Sequence, residues 1–126
     1  MAAAHAAMAG CAMAGRPPGF SVLGSDDLYI SPLLALGADG AILASAHVRT
    51  GEFATLIGLW RDGLASAARP LGHPLAEVAS ALFAEPNPVV IKAVLHRLGQ
   101  IPSPVVRLPL VPASAAATDV AACAAA

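Results

Sequence analysis

The run that decides the fold opens with Phe20-Ser21-Val22-Leu23 and Gly24-Ser25-Asp26-Asp27. It continues through Leu28, Leu33, Leu34 and Leu36, and closes with Gly37-Ala38-Asp39-Gly40 and Ala41-Ile42-Leu43-Ala44. Residues 20–23 and 41–44 are short apolar runs of strand length, the first with β-branched and aromatic content. Between them Ser25 is placed to cap a helix, and Asp26 and Asp27 oppose the positive end of its dipole. Pro32 is tolerated in that helix only in or near its first turn. Strand, helix, Gly-rich turn, strand is a βαβ unit, the module of parallel sheets.

Working outward, Phe53, Leu56, Ile57, Trp60 and Leu64 recur at helical spacing, so a helix beginning near Thr50 has one apolar face. Leu71, Leu75, Val78, Ala79 and Leu82 repeat the pattern in a second helix. Glu85-Pro86-Asn87-Pro88 breaks it; Asn87 as N-cap and Pro88 at the first helical position then start a third, carrying Ile91, Val94, Leu95 and Leu98, with Gly99 as its stop. Upstream, the alanine-rich residues 1–15 have helix propensity, and Arg16-Pro17-Pro18-Gly19 ends that segment. Four prolines between Ile101 and Pro112 forbid regular helix, and residues 113–126 read as a low-complexity tail.

Composition bounds the function. The 126 residues carry a net charge of −1 with 12% charged side chains, so there is no basic surface for nucleic acid. Apolar content is 57%, but alanine supplies about a quarter of the chain, and no stretch has the density of a membrane span. Cys11 and Cys123 form no metal or redox motif and read as free thiols of a cytoplasmic protein. His5, His73 and His96 stand at no ligand spacing, so no metal and no cofactor are expected. Arg97 and Arg107 read as solvent-facing, and Trp60 as core. Two strands cannot make a stable parallel sheet, so further strands must come from elsewhere.

Residues 20–27, Leu36-Gly-Ala-Asp-Gly-Ala-Ile42, Leu82-Phe-Ala-Glu-Pro-Asn-Pro88 with Lys92, and Val106-Arg-Leu-Pro-Leu-Val-Pro112 together resemble, in order and spacing, the dihydrodipicolinate synthase / N-acetylneuraminate lyase family of pyruvate-dependent class I aldolases. The resemblance covers residues 20–112 and implies an α/β fold: the C-terminal part of a TIM (β/α)8 barrel, with its last two strands and a helical C-terminal extension, dominated by helix. Residues 1–19 would be an N-terminal helix and linker, 20–64 the last two β/α units, 65–112 the extension and 113–126 the tail.

The resemblance also implies a chemistry. The family forms a Schiff base between pyruvate and a lysine on the sixth strand, an amine able to trap a carbonyl. The single lysine here, Lys92, matches a helix lysine of the family and not that nucleophile, and Tyr29 does not match its catalytic tyrosine. No catalytic residue is therefore expected among these residues. Ser25, Asp26 and Ile42 are the candidate substrate-binding residues: Ile42 through its backbone carbonyl, the others as pocket lining. The family's Ser-Gly order before Asp-Asp is reversed to Gly24-Ser25, which puts a Cβ where the backbone normally nears the substrate. Helix-start electrostatics is the competing role for Asp26 and Asp27. His47 stands where the family often has Asn and reads as a loop residue.

The expected ligand is pyruvate or another 2-oxo acid in a completed barrel. The expected partners are a second copy of the chain or a polypeptide supplying the missing strands. A keto-sugar-acid aldolase, an N-acetylneuraminate lyase and a non-catalytic barrel-completing fragment are the other readings.

Overall fold

A computed structural model describes residues 11–126. Residues 11–14 are helical, and the first ten residues of the expected alanine-rich helix lie outside the described residues. Strand β1 (Leu23–Gly24) and strand β2 (Gly40–Ala41) pair in parallel, with Leu23 opposite Gly40 and Gly24 opposite Ala41. Both are shorter than expected and shifted toward each other in sequence. Only facing backbone pairs, and the ladder runs from Asp39 N–H on the Val22 carbonyl to Ile42 N–H on the Gly24 carbonyl. Phe20 instead donates back to the Pro17 carbonyl in a turn, and beyond Ile42 the chain curls into a 3-10 turn at Ser45–His47.

After β1 a 3-10 turn at Asp27–Tyr29 leads into helix α1 (Ile30–Ala35). Asp26, rather than Ser25, takes the cap position, and its Oδ1 accepts the Leu28 N–H at 3.2 Å. Pro32 falls in the first turn of α1, where its missing N–H costs nothing. Gly37, at φ 104°, closes the helix: its N–H bonds the Leu34 carbonyl while Ala38 N–H bonds that of Leu33, a Schellman motif. Asp39 then accepts from Val22 N–H and pairs with Arg16. The Val22 bond first, and the Arg16 charge after it, hold the Asp39 carboxyl below its usual range against some desolvation.

Helices α2 (Thr50–Arg61), α3 (Ala65–Leu82), α4 (Val89–Arg97) and α5 (Ala115–Ala125) complete the chain. Leu64, counted sequentially with the α2 stripe, lies past its end and is exposed. Helix α3 runs through Pro70 and Pro74. The carbonyls those prolines cannot reach, at Ser66 and Pro70, are on exposed residues, so water can serve them. Asn87 does not cap α4. Pro88 holds the cap position without a side-chain bond, and the first helical N–H, at Val89, is taken by the Pro86 carbonyl.

The expected tail is a packed helix. Ser114 Oγ caps α5 by accepting from Ala117 N–H at 3.1 Å, and Ala121 is fully buried. It belongs to one core cluster with Val78, Leu82, Val90 and Val94. A second cluster joins Ile30, Leu34, Phe53, Leu56, Ala68 and Leu75, so α3 contributes to both.

Close approach fixes one glycine. A Cβ on Gly72 of α3 would meet Ser31 Oγ at 2.8 Å and Ser31 Cβ at 3.2 Å, and that hydroxyl accepts the Trp60 indole N–H at 2.9 Å. Gly72→Ala gains about 1 kcal/mol of helix propensity and loses about 1–3 kcal/mol to overpacking. We expect a net loss of stability with altered Trp60 fluorescence in a urea titration; an unchanged or raised midpoint would refute it.

Candidate functional site

In parallel α/β sheets, sites form beyond the carboxyl ends of the strands. Gly24-Ser25-Asp26-Asp27 leaves that end of β1, and Ile42 leaves that end of β2. Gly24 is buried, and a Cβ there would come within 2.6 Å of Ile30 Cδ1 and 3.1 Å of Leu33 Cδ1. A side chain at 24 would thus displace the ends of the Ile30 and Leu33 side chains, and the side chain of the reversed pair falls at Ser25. Ser25 is exposed and lines a cavity of about 550 Å³ with Asp26, Asp27, Tyr29, Ser80 and Phe83, between this loop and α3.

The candidate residues therefore divide. Ser25 and Asp26 share the cavity, while Ile42 does not line it. Ile42 is 70% exposed, and its N–H donates to Gly24 O at 2.8 Å, which sets its segment beside the β1 loop. Among the described residues no hydrogen bond ends on the Ile42 carbonyl, which leaves that oxygen free to accept. Asp26 also caps the 3-10 turn, the helix-start role weighed for it.

Asp27 is different. It is 4% exposed, and its carboxylate accepts the Ser45 N–H at 2.6 Å across to the loop after β2. Sequence alone gives no sign of that bond, because it joins residues eighteen apart through backbone on one side.

The other reactive side chains lie elsewhere. Lys92 sits on α4 with Nζ donating to the Val105 carbonyl. Tyr29 does reach the cavity wall. His47 ends the 3-10 turn after β2 and is exposed, as is His73 on α3; His96 Nδ1 lies 3.2 Å from the Ile101 carbonyl. Arg97 pairs with Asp119 of α5, and Arg107 is exposed. Trp60 packs against the α1–α2–α3 cluster. His5 lies outside the described residues. Cys11 and Cys123 are free and exposed. Among the described residues no three His, Cys, Asp or Glu side chains group to hold a metal, and no helix is long and apolar enough to cross a membrane.

Residues 12–124 match the Dihydrodipicolinate synthetase family, a span that takes in α5 as well as the strands. The chain is 38% identical over 99 residues to 4-hydroxy-tetrahydrodipicolinate synthase 2 of Clostridium acetobutylicum, covering 79% of this chain and 35% of that protein. It superposes on the dihydrodipicolinate synthase of Aquifex aeolicus with a TM-score of 0.85 and 30% identity, over 90% of this chain and 39% of that one. The chloride-inhibited Acinetobacter baumannii dihydrodipicolinate synthase, complexed with pyruvate, gives 0.84 at 26% identity, over 92% and 40%. The chain thus spans about a third of the length of the curated relatives it matches. With a family match over nearly its whole length, and a βαβ core that superposes on these synthases, the chain belongs to the dihydrodipicolinate synthetase family.

Proposed function

We propose that these residues are the C-terminal part of a (β/α)8 barrel, with β1 and β2 as its last two strands, and that they supply one side of a pyruvate site. In the completed barrel a 2-oxo acid is held as a Schiff base on a lysine from another strand. Ser25 and Asp26 line the approach to it, and the free Ile42 carbonyl accepts a hydrogen bond from the adduct. One observation carries this reading: the parallel pair places the Gly24–Asp27 loop and Ile42 at the same carboxyl end, joined by the Ile42–Gly24 bond. The synthases among its relatives favour a condensing lyase over a sialic acid lyase or a keto-sugar-acid aldolase.

A Schiff-base nucleophile needs an amine held close to its carbonyl in a water-poor site. Lys92 has its ammonium on a backbone carbonyl of an exposed loop, on a helix after the strands. These 126 residues are therefore inactive alone. Incubating them with pyruvate and borohydride should leave the mass unchanged, whereas a chimera carrying them in place of the matching segment of the C. acetobutylicum synthase should trap pyruvate on the synthase's lysine. A stoichiometric adduct on Lys92, or a folded chimera that traps nothing, would overturn the proposal.

A further inference from the structure

Two hydrogen bonds join the loops after β1 and β2 among the described residues: Ile42 N–H to Gly24 O, and Ser45 N–H to the Asp27 carboxylate. The first lies at the end of a very short ladder. The second reaches three residues further along each loop, from a side chain 4% exposed to a residue 0% exposed. Asp27 directly follows Asp26, and Ser45 lies three residues past Ile42. We infer that Asp27 is a positioning residue, whose carboxylate sets the separation of the Ser25-Asp26 loop from the Ile42 carbonyl by gripping the Ser45 amide. The inference rests on the pyruvate-site reading for its functional meaning and on the geometry for its content.

Ser45 makes the grip decisive. Its hydroxyl is buried and already has no hydrogen-bond partner among the described residues. Without Asp27, both the N–H and the hydroxyl of a fully buried residue would be unpartnered, and buried orphans are costly enough to move backbone toward water. The segment behind Ile42 would then swing out, carrying the Ile42 carbonyl with it. The carboxylate belongs to neither core cluster; Ala44 and Val48 pack against one and Leu43 and Ala46 against the other, but the buried members of both lie on the helices and keep one another's contacts.

The test is hydrogen exchange read by mass spectrometry on the full chain, in four forms: unchanged, Asp27→Ala, Asp27→Asn and Val94→Ala. In Asp27→Ala the peptide covering residues 42–49 should exchange about ten- to hundredfold faster, the ratio expected for losing a hydrogen bond to a charged group, while peptides from α2 and α4 hold their rates. Asp27→Asn keeps an acceptor oxygen and should recover most of the protection. Val94→Ala, which hollows the α4–α5 core instead, should loosen α4 and leave residues 42–49 protected. Unchanged exchange at 42–49 in Asp27→Ala, no recovery in Asp27→Asn, or α2 and α4 loosening as much as 42–49 would each overturn the assignment. No pyruvate enters this experiment, so its failure leaves the Schiff-base reading standing. An adduct on Lys92 would remove that reading without touching the Ser45 amide.

Discussion

Ala121→Asp should detach α5 and strip the chain of most of its stability, while Ala116→Asp should leave it almost unchanged. Ala121 is fully buried among the apolar side chains of Val78, Leu82, Val90 and Val94. An unpaired charge there costs on the order of 3–5 kcal/mol, a large share of what a domain this size holds in reserve. Ala116 is exposed and lies in the first turn of α5, where a carboxylate faces the positive end of the helix dipole. The same substitution five residues apart therefore has opposite consequences. Urea midpoints of the two variants decide it: equal midpoints would mean that residues 113–126 are a tail after all.

The isolated chain should also self-associate, or bind a reporter dye on exposed apolar surface. Each strand of the two-stranded sheet has one edge without a partner among the described residues, and open edges template pairing with other chains. Apolar side chains stand around it: Phe20 is 62% exposed, Leu23 is exposed, and Ile42 extends from the end of β2. In the proposed barrel the two open edges would be taken by neighbouring strands. Leu23→Lys, which puts a charge on the edge strand, should lower the apparent mass in light scattering. A monodisperse monomer with a sharp thermal transition would show the sheet to be self-sufficient. Association lost on adding a chain that carries the other strands of the proposed barrel would identify the edge as a docking edge.

Much of this architecture can be read from residue pattern, and the exceptions share a cause. The βαβ unit and the stripes of α2, α3 and α4 rest on contrast between large apolar and polar side chains, and Phe53, Leu56, Leu75, Val78 and Val94 are buried as that contrast implies. In helix α5 the contrast misleads, because its one large aliphatic side chain, Val120, is exposed. Its buried residue is one alanine of several, and what distinguishes Ala121 is its place against Val78, Leu82, Val90 and Val94. Strand extent failed for a related reason, since pairing depends on which backbone lies alongside and not on how apolar a run is. The α4 cap turned on backbone direction, which put the Pro86 carbonyl where the Asn87 side chain was expected to act. The candidates Ser25, Asp26 and Ile42 come from family resemblance, while the Asp27–Ser45 bond joins loops that only folding brings together.

The position of α5 in the chain has a consequence for biosynthesis. Its partners on α3 and α4 are translated first, and the proline-rich stretch between Ile101 and Pro112 follows before Ala121 is made. At about 5–20 residues per second, Val90 and Val94 wait seconds on a nascent chain with their lid not yet translated. The α1–α2–α3 cluster has all its residues by then and can fold at once, so one half of α3 is native while the other half still offers bare aliphatic surface. That interval is when a holdase has something to grip, the half of α3 that carries Val78 and Leu82.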